Sequence, residues 1–282
     1  MGAAVAEPVH RVGIGWRPDL AAAIFANLDR IDVVEVIADD YFRASRRELD
    51  ALRGLAEQVP VMLHGVALGL ATAFDVDTTR IDRLARLIEH VRPCAWSEHL
   101  AFVRAGETEI GHLAMPPRTV HTVEQTVRNV ERARAVTGLM PALENIATLF
   151  DPPMSTSSEG QWTRQILGGC GAPMLLDLHN LYANAVNAGR DPFADLDGFP
   201  LHAVRQVHLS GGMWISHADG TRRLLDDHLH SPPDAVFELL RALKRKTAAN
   251  FDVILERDGN QPGIEALLAQ LDQARAAVRL HA

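Results

Sequence analysis

Pro173-Met174-Leu175-Leu176-Asp177-Leu178-His179-Asn180 runs from an apolar stretch straight into polar, metal-competent side chains. A short apolar run opened by proline suits a strand buried on both faces of a parallel sheet. Similar runs occupy residues 10–16, 33–38, 59–65, 94–100, 141–146, 204–210 and 252–257, so that with 173–180 there are eight. Helical patterns lie between them. Residues 77–91 space Ile81, Leu84, Leu87, Ile88 and Val91 along one face, and 119–136 do the same with Val120, Val123, Val127 and Val130. Residues 233–246 follow a Ser-Pro-Pro start, and 262–278 form a Leu/Ala-rich final helix. Strand–helix alternation predicts a parallel sheet, and eight units predict a closed (β/α)8 TIM barrel. Such a barrel takes about 250 residues. The 282 residues therefore read as one domain, 1–282, with a short flexible N-terminus at 1–9.

Composition narrows the function. The chain is 47% hydrophobic but only 5% aromatic, so the core is built from Ala, Val, Leu and Ile. A net charge of −8 argues against a general affinity for nucleic acid. The one compact basic run, Lys244-Arg245-Lys246, falls late in a predicted helix, where cations favour the dipole. Cys94 and Cys170 form no Cys-x-x-Cys pattern, which disfavours a disulfide framework or a zinc–thiolate site and fits a reducing cytosol. Both are read as buried thiols on the far side of the barrel. Residues 1–8 do not read as a signal peptide, and no apolar run approaches the ~18 residues of a membrane span. Gly168-Gly169 precedes a strand, the wrong context for a phosphate loop. A cytoplasmic protein with no membrane or nucleic-acid partner is the expectation.

The chemistry gathers at the strand ends. The predicted strands carry or end in Glu35, then His64, Glu98-His99, Glu144-Asn145, Asp177 with His179 and Asn180, His208, and Glu256-Arg257-Asp258. Asp226, His228 and His230 follow in the loop after residues 204–210. A barrel brings these ends into one ring. Buried carboxylates and imidazoles are costly unless paired or bound to a cation, and a cluster of ions answers several of them at once. Imidazole with carboxylate and no thiolate suits iron, zinc or manganese. Asp177 and His179, two apart, share a side in an extended strand; Asp226 and His228 repeat the spacing and His230 continues it. Glu98 and His99 are adjacent and cannot both point inward, and His99 is preferred. The remaining histidines, His10, His90, His112, His121, His202, His217 and His281, read as surface or packing residues. The segments 147–159 and 211–225 follow strands, so both belong to the catalytic face, and the second has the makings of a small hairpin.

Taken together, Gly13-Ile14-Gly15-Trp16-Arg17, Glu35-Val36-Ile37-Ala38, His64-Gly65-Val66, Ser97-Glu98-His99-Leu100, Glu144-Asn145, Leu176-Asp177-Leu178-His179-Asn180, His208-Leu209-Ser210-Gly211, Asp226-Asp227-His228-Leu229-His230 and Glu256-Arg257-Asp258 resemble the multinuclear non-haem iron-dependent oxidases, a bacterial family that includes the methanobactin-biosynthesis oxidase. The resemblance runs from about Val12 to the last helix. It implies a xylose isomerase-like barrel with iron held by His64, His99, Glu144, Asp177, His208, Asp226, His228 and Glu256. A third metal position falls to Asn180 or His179. It also implies two or three irons in a mixed-valent Fe(II)/Fe(III) state and dioxygen as co-substrate. Glu144, Asp177, Asn180 and His179 are the residues nearest the chemistry. The substrate it implies is a ribosomally made precursor peptide, modified at cysteine towards oxazolone–thioamide or thiooxazole products, with a separate protein presenting the precursor. Ser210 departs from the family pattern, and Asp227 leaves the Asp226 assignment open by one position. The alternatives are an abasic-site endonuclease and a sugar isomerase or epimerase of the same superfamily, or a barrel that has lost its metals and serves as a binding partner.

Overall fold

The computed structural model describes residues 10–106, 108–216 and 218–279. The proposed N-terminal extension 1–9, His217 and His281 lie outside the described residues. The strands are β1 (Val12–Gly15), β2 (Val34–Ile37), β3 (Val61–Gly65), β4 (Ala95–His99), β5 (Phe102–Ala105), β6 (Thr108–Ala114), β7 (Ala142–Glu144), β8 (Met174–Asp177), β9 (Val204–Leu209), β10 (Gly212–Ser216), β11 (Arg222–Asp226) and β12 (Asp252–Leu255). Eight of them close a parallel barrel in the order β1-β12-β9-β8-β7-β4-β3-β2. β5–β6 and β10–β11 are separate antiparallel hairpins, and only the second was legible in the sequence.

The helices are α1 (Ala21–Phe25), α2 (Arg46–Ala56), α3 (Thr78–Val91), α4 (Val120–Thr137), α5 (Glu159–Cys170), α6 (Leu178–Asn187), α7 (Pro192–Gly198), α8 (Asp234–Lys246) and α9 (Ile264–Val278). The main core lies between them and the outward faces of the barrel strands, where Val34, Val36, Leu63, Trp96, Leu143, Leu176 and Val207 pack. A separate small cluster, Val33, Met62 and Ile254 with Ala95, plugs the barrel floor. Side chains alternate along a strand. The residues two places beyond this floor layer are therefore Glu35, His64, Ser97 and Glu256, and the polar ring sits one layer above the apolar plug. Gly13 lets β1 approach its neighbour, since a Cβ there would lie 1.7 Å from the Val33 carbonyl oxygen.

Three expectations need correction. Val120 is 65% exposed, whereas Val123, Val127 and Val130 pack on the core, and the buried face of α4 also carries polar Thr122, Gln125, Thr126 and Asn129. The reason is loop anchoring: Asn129 donates to the carbonyls of Leu70 and Phe74 and accepts from Val76 N–H. Cys94 is exposed beside Arg11, whereas Cys170 is buried as expected. The strand read as 173–180 ends at Asp177, because Asp177 caps α6 by accepting from Asn180 N–H at 2.6 Å. Among the described residues, no helix is long and apolar enough to cross a membrane.

Candidate metal centre

Seven barrel strands contribute to one buried cluster at the C-terminal mouth. Glu35, His64, His99, Glu144, Asp177, His208 and Glu256 are all at most 9% exposed. Three overlapping groups of their ligand atoms could each hold a cation: Glu35, His64 and His208; His64, His99 and Glu144; and Glu144, Asp177, His208 and Glu256. Glu144 joins two of these groups. Its Oε2 lies 3.4 Å from His64 Nε2 and 3.3 Å from His99 Nε2, and its Oε1 lies 3.3 Å from His208 Nδ1.

The strand alternation settles Glu98 and His99. His99 shares the inward face with Ala95 and Ser97 and reaches Glu144. Glu98 turns away, accepting the N–H groups of His99 at 2.9 Å and Leu68 at 3.1 Å. It is a loop anchor, and Gly65 makes room for it, since a Cβ there would meet Glu98 Oε2 at 2.7 Å.

Neither Asp177 with His179 nor Asp226 with His228 shares an extended strand, although the residues arrive. His179 lies in the first turn of α6, not on a strand. It still turns to Asp226, with His179 Nδ1 2.8 Å from Asp226 Oδ1. His228 adopts φ 52°, so it does not continue an extended run from Asp226. Backbone bonds hold it in that turn: its N–H donates to the Gly211 carbonyl, and its carbonyl accepts from Asp258 N–H. Its Nε2 lies 2.9 Å from Asp226 Oδ2. His230 leaves the cluster, pairing at 3.0 Å with Asp227 on the surface side. That pairing puts Asp226, not Asp227, at the site.

Sequence reasoning places Glu35, Asn145 and Asp258 at the strand ends without a role, and assigns Ser97 and Arg17 none in the site. Glu35 Oε2 accepts from His208 Nε2 at 3.0 Å. Ser97 Oγ lies 2.8 Å from His64 Nδ1. Asn145 clamps the end of β8, accepting Asp177 N–H and donating to the Asp177 carbonyl, while its own carbonyl accepts from Asn180 Nδ2. Arg17 pairs with Asp258, whose other oxygen lies 3.5 Å from His228 Nδ1. Alternation from Val33, which faces the barrel floor, marks Glu35 as inward. The others act across elements far apart in sequence.

The electrostatics follow from burial and crowding. Burial pulls the His208 pKa down, but Glu256, Glu35 and Glu144 push it well above the ordinary value. Burial raises Glu256, and His208 and His228 hold it well below the usual carboxylate range. Burial works against Asp226 too, but hydrogen bonds from His179 and His228 bring it to about 2. Asp177 goes the other way: burial, then Asp226, Glu144 and Glu256, raise it well above normal. The crowded carboxylates thus make its ionisation unfavourable.

The donors fit a metal cluster. Asp177 Oδ2, His179 Nε2 and Asn180 Oδ1 are buried without a hydrogen-bond partner, and Glu144 Oε2, His208 Nδ1, His228 Nε2 and Glu256 Oε2 are buried with only imidazole–carboxylate ion-pair contacts. Native proteins rarely leave such atoms unsatisfied, and these lie around the same mouth. Cations bound among nitrogen and oxygen donors would satisfy them together. His179 and Asn180 each keep one free atom after spending the other, so both remain able to serve a further ion.

Comparison with known proteins agrees. The profile of the family described as RiPP precursor modification enzyme MbnB/TglH/ChrH matches residues 11–279. A UPF0276 protein of Streptomyces avermitilis is 37% identical over 257 residues, covering 89% of this chain, which spans about half (51%) of that relative's length. A UPF0276 protein of Caulobacter vibrioides is 31% identical over 275 residues, covering 96% of this chain and 95% of its own. Among solved structures, a xylose isomerase domain containing protein from Salmonella typhimurium superposes with a TM-score of 0.62 at 16% identity, covering 98% of this chain and 99% of that one. The 3-keto-D-glucoside 4-epimerase of E. coli gives 0.59 at 14% identity, covering 95% and 99%. At such identities the likeness concerns the xylose isomerase-like barrel alone.

Proposed function

Because this chain belongs to the MbnB/TglH/ChrH family of RiPP precursor modification enzymes, we propose that it is a multinuclear iron oxidase that modifies a ribosomally made precursor peptide at cysteine, with dioxygen taking up the electrons. The observation that carries this reading is the set of buried imidazole and carboxylate ligand atoms converging at the barrel mouth, several of them without a hydrogen-bond partner. His64, His99 and Glu144 would hold one iron, and Asp177, His208 and Glu256 a second, with Glu144 between them. Asp226 and His228, with His179 or Asn180, would serve a third. When bound, the irons supply redox chemistry and open positions for a thiolate and for dioxygen.

The chain's own residues orient and shield. Asn145 and the α6 cap hold Asp177 and Asn180 in place. Glu35 and Ser97 hold His208 and His64. The apolar plug closes the barrel below the ring and keeps water from entering there. We place the enzyme in the cytoplasm, receiving its precursor with the help of a separate presenting protein.

The test is metal analysis by plasma mass spectrometry with Mössbauer spectroscopy on protein purified without chelators or added zinc, followed by incubation with the precursor. Two or three irons per chain with a coupled mixed-valent signal, and modification only in the presence of dioxygen, are expected. Stoichiometric zinc after iron-supplemented growth, or modification under anaerobic conditions, would overturn the reading.

A further inference from the structure

The β10–β11 hairpin sits on the catalytic face and its two outer edges differ. The outer edge of β11 is covered: the Asn187 side chain accepts Leu224 N–H at 2.7 Å and donates to the Leu224 carbonyl at 2.9 Å. Both backbone groups of Leu224 therefore point away from β10. In an antiparallel pair, residues facing each other alternate between exchanging both backbone bonds and exchanging none. Leu224 faces Trp214, so Trp214 belongs to a non-bonded pair. By the same alternation, Gly212 opposite Asp226 and Ser216 opposite Arg222 do too. The N–H and C=O groups of Gly212, Trp214 and Ser216 consequently all face outward, and among the described residues none of them has a partner.

Protein edges of this kind are usually blunted by lysine, proline, a bulge or a covering element. Among the described residues, β10 carries no lysine, proline or bulge. Its sequence is Gly-Met-Trp-Ile-Ser, and Met213 and Trp214 are each 43% exposed. Arg222 stacks over the Trp214 ring at 4.8 Å and steadies it. The edge also leads somewhere. A Cβ on Gly212 would lie 2.7 Å from His179 Cε1, so the inner end of β10 abuts the metal cluster. From Ser216 to Gly212 the edge runs about 13 Å.

We propose that the outer edge of β10 is a peptide-docking site, on which an extended segment of the substrate peptide adds as a third strand and is led to the metal cluster. An alternating row of donors and acceptors at strand spacing is complementary to an extended backbone, with apolar side chains beside it for selectivity. That the occupant belongs to the modified peptide rests on the proposed function. The binding site itself rests on the hairpin.

The experiment selects random linear peptides from an mRNA-display library on the full-length protein, then compares wild type with Trp214→Pro and Trp214→Ala. Proline removes an outward N–H but no bond to β11, so the hairpin survives it. Ser216→Pro, on the same edge, guards against a folding defect at 214, and circular dichroism checks each variant. Selected peptides should bind wild type and Trp214→Ala within a few-fold and lose about tenfold on either proline variant. N-methylation of the peptide should weaken binding at alternate residues and be tolerated between them. The proposal fails if no peptide is enriched, if the proline variants bind as tightly as Trp214→Ala, or if N-methylation shows no alternation. It also fails if sedimentation shows a wild-type dimer that the proline variants dissociate, since a second copy would then own the edge. Binding is read without turnover. A zinc-bound, non-oxidising protein that passes refutes the oxidase reading alone, and an iron oxidase that fails refutes the docking site alone.

Discussion

Glu35 on β2 accepts the Nε2 proton of His208 on β9 at 3.0 Å, across the barrel lumen between strands that are not neighbours in the sheet. The bond leaves His208 Nδ1, 3.0 Å from Glu256 Oε2 and 3.3 Å from Glu144 Oε1, as the nitrogen whose proton a cation would displace. A carboxylate behind a metal-binding imidazole fixes its tautomer and raises its basicity. Glu35→Ala should weaken metal binding by about 10–100-fold, while Glu35→Gln, which keeps an acceptor oxygen, should lose less. Competition with a chelator followed by metal analysis reads this directly. Equal retention by wild type and Glu35→Ala would remove the positioning role.

Glu144 and His230 offer a contrast within the sequence-derived candidates. Glu144→Ala removes the carboxylate shared by His64, His99 and His208, and should abolish activity and deplete bound iron. His230, whose side chain is 47% exposed and paired with Asp227, should tolerate alanine with full metal content. Plasma mass spectrometry of the two variants prepared side by side decides the matter. Full iron and full turnover in Glu144→Ala would sink the assignment of the site.

Gly212→Ala tests the seam between hairpin and ring. The new Cβ would meet the Leu225 carbonyl oxygen at 2.0 Å and His179 Cε1 at 2.7 Å. Backbone cannot yield to that contact without moving the hairpin, so a loss on the order of 1–3 kcal/mol is expected. Asp226 ends β11 and bonds His179, so metal retention should fall as well. Urea unfolding and metal content measure the two effects. An alanine variant as stable as wild type would mean the hairpin is free to shift.

Glu159 carries a pH dependence remote from the ring. Burial raises its carboxyl from 4.5 to about 7, with only Asn184 Nδ2 on Oε2 at 3.2 Å and no partner for Oε1. Its folded-state pKa is thus above its unfolded one, and the folded chain holds a proton that the unfolded chain releases. The contribution is full below pH ~4.5 and is lost as pH rises towards ~7, by an amount on the order of 1–3 kcal/mol. Glu159→Gln cannot ionise and should lack this slope. Denaturant midpoints of both proteins across pH 4.5–7.5 give the difference, and parallel curves would disprove it.

Repeating signals made the fold readable. All eight barrel strands follow from apolar runs, because a parallel strand buried on both faces has to be apolar almost throughout. The β5–β6 hairpin escaped notice because its residues are half-exposed and mixed in polarity, with β6 reading Thr-Glu-Ile-Gly-His-Leu-Ala. Of the valine face expected of α4, Val123, Val127 and Val130 pack on the core and Val120 is exposed, while tertiary hydrogen bonds from Asn129 bury polar residues beside them. In the site, the residue types were legible, yet the reasons offered for their convergence were partly wrong. His179 reaches Asp226 from a helix turn, and His228 from a left-handed turn.

Sequence alone determined that imidazoles and carboxylates cap a ring of strands, since strand ends and residue types are local properties. Only the tertiary structure decided how they meet: Glu98 outward and His99 inward, His230 out of the cluster, Glu35 behind His208, and a hairpin with one covered edge and one open edge. Those outcomes depend on strand register and on contacts between residues far apart in the chain, such as Glu35 with His208 and Asn187 with Leu224. A one-residue change of register turns every side chain of a strand to the other face. Local sequence specifies a strand's polarity pattern, but the packing of the whole barrel selects its register.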